Sequence, residues 1–448
     1  MLKFDEFKKI STPEWKLKIQ ADLKGKDYDV LVTKTPENIS IRPFYHFDDY
    51  KKFENISSND TFKIVQELHF SNEKTAHSIA RKSLSKGIDN FTFLANKPFD
   101  IDELTYKLDY GQLIFKLNFL NPDFFIKLYN QTKGKAQIYI QPIGHLIKTG
   151  NWYENQDKDF KKIKEIQKNI PLDYRFISVD AIRFHNAGAT VTQQIAYALS
   201  QAVDYLENLG KEIANQLVFN FAIGNHYFFE IAKFKVFRYL LQLILDEYQV
   251  CSTAVIYGKP GMRNKSILDP HVNMLRTTME MMSGVLGGAD YIANTPYDYI
   301  FKKSNAFSER IARNQLIILR EEAGFDKAVN SFEGSYFLEN ISQEMAVKSL
   351  DIFKQIEENG GLIAQLFKGK IQEKIKQKAQ KEQEKFDEEK IILVGVNKYF
   401  NEQAEIENVE IYPFQKKRSG QTLIEPVLAK RLGEEKEKEI LIKKEIEV

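Results

Sequence analysis

With 448 residues, 43% hydrophobic and 28% charged, the chain has the composition of a soluble globular protein, long enough for one large barrel or two domains. Its 64 basic and 62 acidic residues leave a formal charge of +2, so no whole-chain field argues for nucleic acid. Cys251 is the only cysteine, which excludes an intrachain disulfide and fits a reducing cytosol, and no apolar run approaches the roughly 20 residues needed to cross a bilayer.

Residues 1–36 are polar, with Phe4, Phe7, Trp15, Leu17, Leu23 and Leu31 dotted along them. These are too few for a separate core, so the segment reads as an arm packed on something else. An arm and lead-in segment over 1–57, a barrel over 58–400 and an extension over 401–448 is the expected division. Glu73 to Lys86 is a helix with Gly87 as its stop. Strand candidates follow at Phe91–Leu94, Leu113–Leu117, Ala136–Ile140, Phe176–Val179, Leu217–Phe221, Ala254–Tyr257 and Tyr291–Ala293. Helices Val191–Leu209 and Tyr227–Tyr248 lie between the later ones. Repeated strand–helix units force parallel neighbours, because a crossover helix must return the chain. Seven such strands predict a closed α/β barrel of the TIM (β/α)8 type. The eighth strand is expected at Ile391–Val394 or near Val329.

Between the last two strand candidates, Asp269 is expected to cap a helix with Pro270 in its first turn. Val272, Leu275, Met279 and Met282 are spaced for its buried face, and Gly287-Gly288 for its end. Arg310–Ala323, Ser342–Asn359 and Gly369–Lys390 are further helices. The last is Lys/Glu-rich, with a thin stripe of Ile371, Ile375 and Ala379. Lys416-Lys417-Arg418 reads as a basic surface turn. The polar residues after Tyr399 carry no second domain, but are enough to cap or cross the barrel.

Generic chemical motifs are absent. There is no Gly-x-x-x-x-Gly-Lys-Ser phosphate loop, no Gly-x-Gly-x-x-Gly turn, no cysteine pair for zinc, and no two of the seven histidines stand at i, i+4. No metal site is predicted. Asp269-Pro270-x-x-Asn273-x-x-Arg276 followed by Gly287-Gly288, however, resembles the barrel domain of the B12-dependent acyl-CoA mutases, methylmalonyl-CoA mutase above all. Ile39–Tyr45, Ala187-Gly188-Ala189, Phe229-Glu230-Ile231-Ala232-Lys233, Ala312-Arg313-Asn314, Glu333-Gly334-Ser335-Tyr336 and Val394-Gly395-Val396-Asn397-Lys398-Tyr399 agree with that family in order.

The same comparison shows losses. Where active chains carry a His that acts on the substrate carbonyl, this sequence has Arg183. A second His position holds Tyr257, with Lys259-Pro260-Gly261 over the family's Gln-Thr-Ser run. In Lys63-Ile64-Val65-Gln66-Glu67-Leu68-His69, Val65 and Glu67 replace the family's Arg and Tyr. The reaction needs a dry barrel, a donor to the thioester carbonyl and a cation for the free carboxylate. With Arg183, Tyr257, Val65 and Glu67 at these degenerate positions, no catalytic and no cofactor-binding residue is expected. His271 has Met274 where the cobalt-ligand motif Asp-x-His-x-x-Gly needs Gly, and no histidine follows it, so the resemblance implies no cobalamin-binding domain here.

The resemblance therefore implies a small, non-catalytic cytoplasmic chain of a heterodimer. The large catalytic chain would bind adenosylcobalamin, and the N-terminal arm would wrap around it. Two alternatives are an acyl-CoA mutase barrel that borrows a separate cobalamin protein, using Arg183 or Tyr257 as donor, and a CoA-thioester sensor.

Overall fold

Alternation of side chains along eight short strands builds the centre of the molecule. In this computed structural model residues 8–54, 56, 61–328, 333–401, 409–415 and 420–443 are described. A small antiparallel hairpin, β1 (Thr33–Lys34) and β2 (Ser40–Ile41), precedes the barrel strands. These are β3 (Lys63–His69), β4 (Asn90–Ala95), β5 (Leu113–Leu117), β6 (Gln137–Ile140), β7 (Ile177–Asp180), β8 (Leu217–Ile223), β9 (Ile256–Pro260) and β10 (Tyr291–Ala293). They close in sequence order, all parallel, with β10 returning to β3 through Tyr291↔Lys63 and Ala293↔Val65. The predicted TIM barrel is thus present.

The eighth strand is not where it was expected. It is the first of the barrel, Lys63–His69. Ile391–Val394 forms no strand, and Val394 makes only an isolated bridge to Lys398. Val329 lies outside the described residues, as do Phe4, Phe7 and Lys416-Lys417-Arg418. Gln66 and Glu67 interrupt the apolar pattern of β3. Both are held by tertiary partners, which a local pattern does not reveal.

Each strand sends alternate residues to opposite faces. Outward residues such as Ile64, Phe91, Phe93, Leu113, Phe115, Phe219, Phe221 and Ile256 join the main core under the helices. Inward residues Val65, Ile114, Tyr139, Val218, Tyr257 and Ala293 form a separate apolar cluster in the lumen. The surrounding layer includes helices Val191–Leu209, Tyr227–Glu247, Val272–Leu286, Ala306–Ile317, Tyr336–Glu358 and Lys370–Asp387. Gly188, at φ 99°, turns the chain into the first of these, and a Cβ there would stand 2.6 Å from Ala379 Cβ.

The Val272–Leu286 helix corrects its own pattern. Its N-cap is His271 without a side-chain bond, so Asp269 sits in a preceding turn rather than capping it. Leu275 and Met279 are 67% and 56% exposed, while Asn273, Thr277, Glu280, Met281 and Gly284 are buried. The inner face is mostly polar because partners distant in sequence satisfy it, Lys265 for Glu280 and the Tyr297 carbonyl for Asn273.

At the N-terminus, the Thr12–Asp22 helix starts at a Ser11–Glu14 capping box and buries none of its residues. Trp15 stays 44% exposed beside Phe44. At the other end, residues 422–432 form a strap across one side of the barrel rim. Ile424 and Val427 donate to the carbonyls of Gly150 and Ile147, Lys430 to Asn186 and Leu432 to Arg263, all within 2.8–3.0 Å. A helix, Glu434–Lys443, follows and packs Leu441 into a second apolar cluster with Ile267, Phe301, Val396 and Leu432.

Candidate functional site

The C-terminal end of a (β/α)8 barrel is where strand ends and loops gather polar groups. Here that end opens onto a cavity of about 260 Å³ lined by Glu67, Lys116, Asp180, Arg183, Asn220 and Lys259, with Ala429 of the strap on its wall. Glu67 points inward from β3 and receives three donors. Lys116 Nζ from β5 lies 2.8 Å from its Oε1, Tyr257 Oη from β9 donates to the same oxygen at 3.0 Å, and Lys259 Nζ reaches Oε2 at 3.0 Å. Lys116 Nζ also sits 3.5 Å from the centre of the Tyr257 ring, a cation–π contact. The Tyr257 hydroxyl further meets Thr92 Oγ1 at 3.5 Å.

The electrostatics follow from this geometry. Burial alone pushes the Glu67 carboxyl up, but the two ammonium groups outweigh it and hold it well below the usual carboxylate range. Burial pulls Lys116 down, and Glu67 opposes the shift. Burial, then the Glu67 charge, pushes Tyr257 well above the ordinary phenol range. Glu67 is therefore an anion and Tyr257 a neutral donor at any physiological pH.

Below this cluster the lumen is filled. Tyr257 stacks on Tyr291 with ring centres 6.2 Å apart, and the Tyr291 hydroxyl accepts from Gln137 Nε2 at 2.7 Å. Tyr139 donates to the Gln137 side chain and packs with Val65, Ile114 and Val218. Polar tips meet one another rather than an open channel.

Three of the four predicted positions meet in the lumen, and the fourth lines the cavity at its mouth. Val65 and Tyr257 share the apolar lumen layer, and Glu67 meets the Tyr257 hydroxyl above it. Arg183 is at the rim on the short Ile182–Asn186 helix, its Nε 3.6 Å from Asp180. Lys116 is the residue that sequence reading missed. A single charge in the apolar run Leu113–Leu117, a strand buried on both faces, was the available signal.

Motif residues away from the lumen hold backbone. Asn273 donates to the carbonyls of Ser266 and Tyr297 at 2.8 and 2.9 Å, and its oxygen accepts Ser266 N–H. Asn397 accepts Leu393 N–H at 2.7 Å and donates to Ile391 O at 2.8 Å. Arg276 donates to Val394 O at 2.6 Å, tying the turn after Ile391 to the Val272–Leu286 helix. Glu230 and Lys233 form a buried ion pair, and Lys233 also donates to Ala222 O at 2.6 Å. Asn314 is exposed.

His271 does not fit a cobalt ligand. It stacks on Tyr297 with ring centres 5.0 Å apart at the start of a helix. Among the described residues no group of three or more His, Cys, Asp or Glu is placed to hold a metal ion.

The family model described as methylmalonyl-CoA mutase matches residues 130–443. The methylmalonyl-CoA mutase small subunit of Porphyromonas gingivalis is 30% identical over 440 residues, covering 89% of this chain and 71% of that one. The small subunit of Streptomyces virginiae is 31% identical over 271 residues, covering 58% and 43%. The methylmalonyl-CoA mutase of Rhizobium meliloti is 31% identical over 276 residues, covering 58% of this chain and 39% of its own length. By match and by motif, this chain belongs to the methylmalonyl-CoA mutase family.

Proposed function

We propose that the chain is the small, non-catalytic subunit of a heterodimeric, adenosylcobalamin-dependent methylmalonyl-CoA mutase of the cytoplasm, supporting a large subunit that interconverts methylmalonyl-CoA and succinyl-CoA. One observation carries the reading. The lumen that would have to receive a thioester is occupied by Tyr139, Tyr257 and Tyr291, and the Glu67 carboxylate is gripped by Lys116 and Lys259. A carbonyl donor must stand free to meet the substrate oxygen. Tyr257, which replaces a family His, spends its hydroxyl on Glu67 instead. Val65 and Glu67 supply no cation for a substrate carboxylate, and Arg183 lies beside Asp180.

The cofactor is assigned to the partner, since His271, the one position here that resembles a cobalt-ligand motif, stacks on Tyr297 at the start of a helix. A partner is also favoured by the N-terminal helix, which buries nothing on its own barrel while Trp15, Leu17, Val30 and Leu31 stay exposed. Among the described residues no helix is long and apolar enough to cross a membrane. In turn, a lone, exposed Cys251 suits a reducing compartment.

Co-expression with a mutase chain that carries Asp-x-His-x-x-Gly tests the proposal. The expected result is one-to-one co-elution on sizing, with isomerase activity in the complex and none in this chain given adenosylcobalamin and a stand-alone cobalamin protein. Turnover by that second mixture would overturn it.

A further inference from the structure

Glu67 is held by donors that owe nothing to its own strand. Lys116 comes from β5, and Tyr257 and Lys259 come from β9. All three converge on one carboxylate group, two donors on one oxygen and one on the other. The side chains are largely enclosed, Glu67 at 12% and Lys116 at 15% exposed, and Lys259 at 26% reaches the cavity at the barrel mouth. A converging set of two ammonium groups and a neutral phenol is what a small carboxylate needs for recognition inside a barrel.

We infer that Lys116, Lys259 and Tyr257 form a binding site for one small monocarboxylate, and that the chain keeps this site shut by filling it with its own Glu67. The lumen is thus self-liganded: an external acid cannot enter while Glu67 stays in place. This inference rests on reading the lumen as closed to substrate. Its own failure would leave the partner-support role untouched, because that role is read from turnover of the complex.

Removing the internal ligand is the test. In the full chain, Glu67→Ala leaves the donors in place and opens acetate-sized space connected to the mouth cavity. Melting is compared in about 100 mM sodium acetate and about 100 mM sodium chloride, so that ionic strength is equal. Glu67→Ala is expected to melt about 2 °C below the natural chain in chloride and to recover about half of that loss in acetate. The natural chain should melt alike in both salts. Adding Lys259→Met to Glu67→Ala should raise the acetate needed by about tenfold. Identical melting of Glu67→Ala in the two salts overturns the inference, as does acetate stabilisation of the natural chain.

If Glu67→Ala yields no folded chain in either salt, Glu67→Gln provides the second measurement. It leaves the buried Lys116 ammonium, already pulled down by burial, without its anion, so its stability should rise with pH more steeply than that of the natural chain. A profile parallel to the natural chain would overturn the inference equally.

Discussion

Buried ions in the wall of this barrel and buried ions in its lumen differ in what surrounds them. In the wall, Lys265 donates to both oxygens of Glu280 at 2.7 and 2.8 Å, and both side chains are 1% exposed. Arg238 likewise meets Asp290 at 2.8 Å with both groups 4% exposed. These pairs tie helices to strand ends, alongside Asn273 and Asn397. In the lumen, Glu67, Lys116 and Lys259 are more open and face a cavity. The wall pairs are sealed among helices and strand ends, where they hold the scaffold. The lumen group of Glu67, Lys116 and Lys259, joined by the Tyr257 hydroxyl, stands at the mouth of the barrel instead. The sealed pairs therefore hold the shape, whereas the lumen group lies at the open end of the barrel.

Breaking the comparison at its strongest point gives the largest effect. Glu280→Ala strands Lys265 in a sealed site, so denaturant unfolding should show a loss of about 3–5 kcal/mol. Glu67→Ala should cost less, about 2 kcal/mol, because the released lysines reach the wet mouth of the barrel. Equal losses would erase the distinction between wall and lumen. Tyr257→Phe removes a single hydroxyl bonded to Glu67, and about 1 kcal/mol is expected by the same measurement.

The last expected effect is a pH slope rather than a loss at one pH. Glu309 joins the Ala306–Ile317 helix to β3 by accepting from Gln66 Nε2 at 3.1 Å, and burial raises its carboxyl from 4.5 to about 7. The folded chain then holds a proton that the unfolded chain has released. Its contribution is full below pH 4.5 and is lost as pH rises through about 7. Glu309→Gln should flatten the stability profile over that window. An unchanged slope would remove Glu309 as its source.

Much of the barrel was legible because the strands are short, apolar and followed by helices. Leu113–Leu117, Tyr291–Ala293 and the Val191–Leu209 helix match their predicted spans. Legibility failed where polar residues are buried by distant partners. β3 was passed over as a strand because Gln66 and Glu67 sit in its middle, one held by Glu309 and the other by Lys116 and Lys259. The Val272–Leu286 helix was turned the wrong way because its inner face carries Asn273, Thr277 and Glu280. The same principle hid one residue of the candidate site. Tyr257, Val65 and Glu67 were visible as departures from a family pattern, whereas Lys116 required the register that sets β5 near β3 across the lumen. Arg183 was legible as a substitution, but only the fold places it at the rim beside Asp180.

Turnover of the reconstituted heterodimer carrying Arg183→Ala and Tyr257→Phe in this chain is the most direct measurement. The support-role account predicts methylmalonyl-CoA isomerisation within about twofold of the unaltered complex at equal heterodimer concentration. A loss of a hundredfold or more, about 2.7 kcal/mol of barrier, would contradict it by placing chemistry in this lumen.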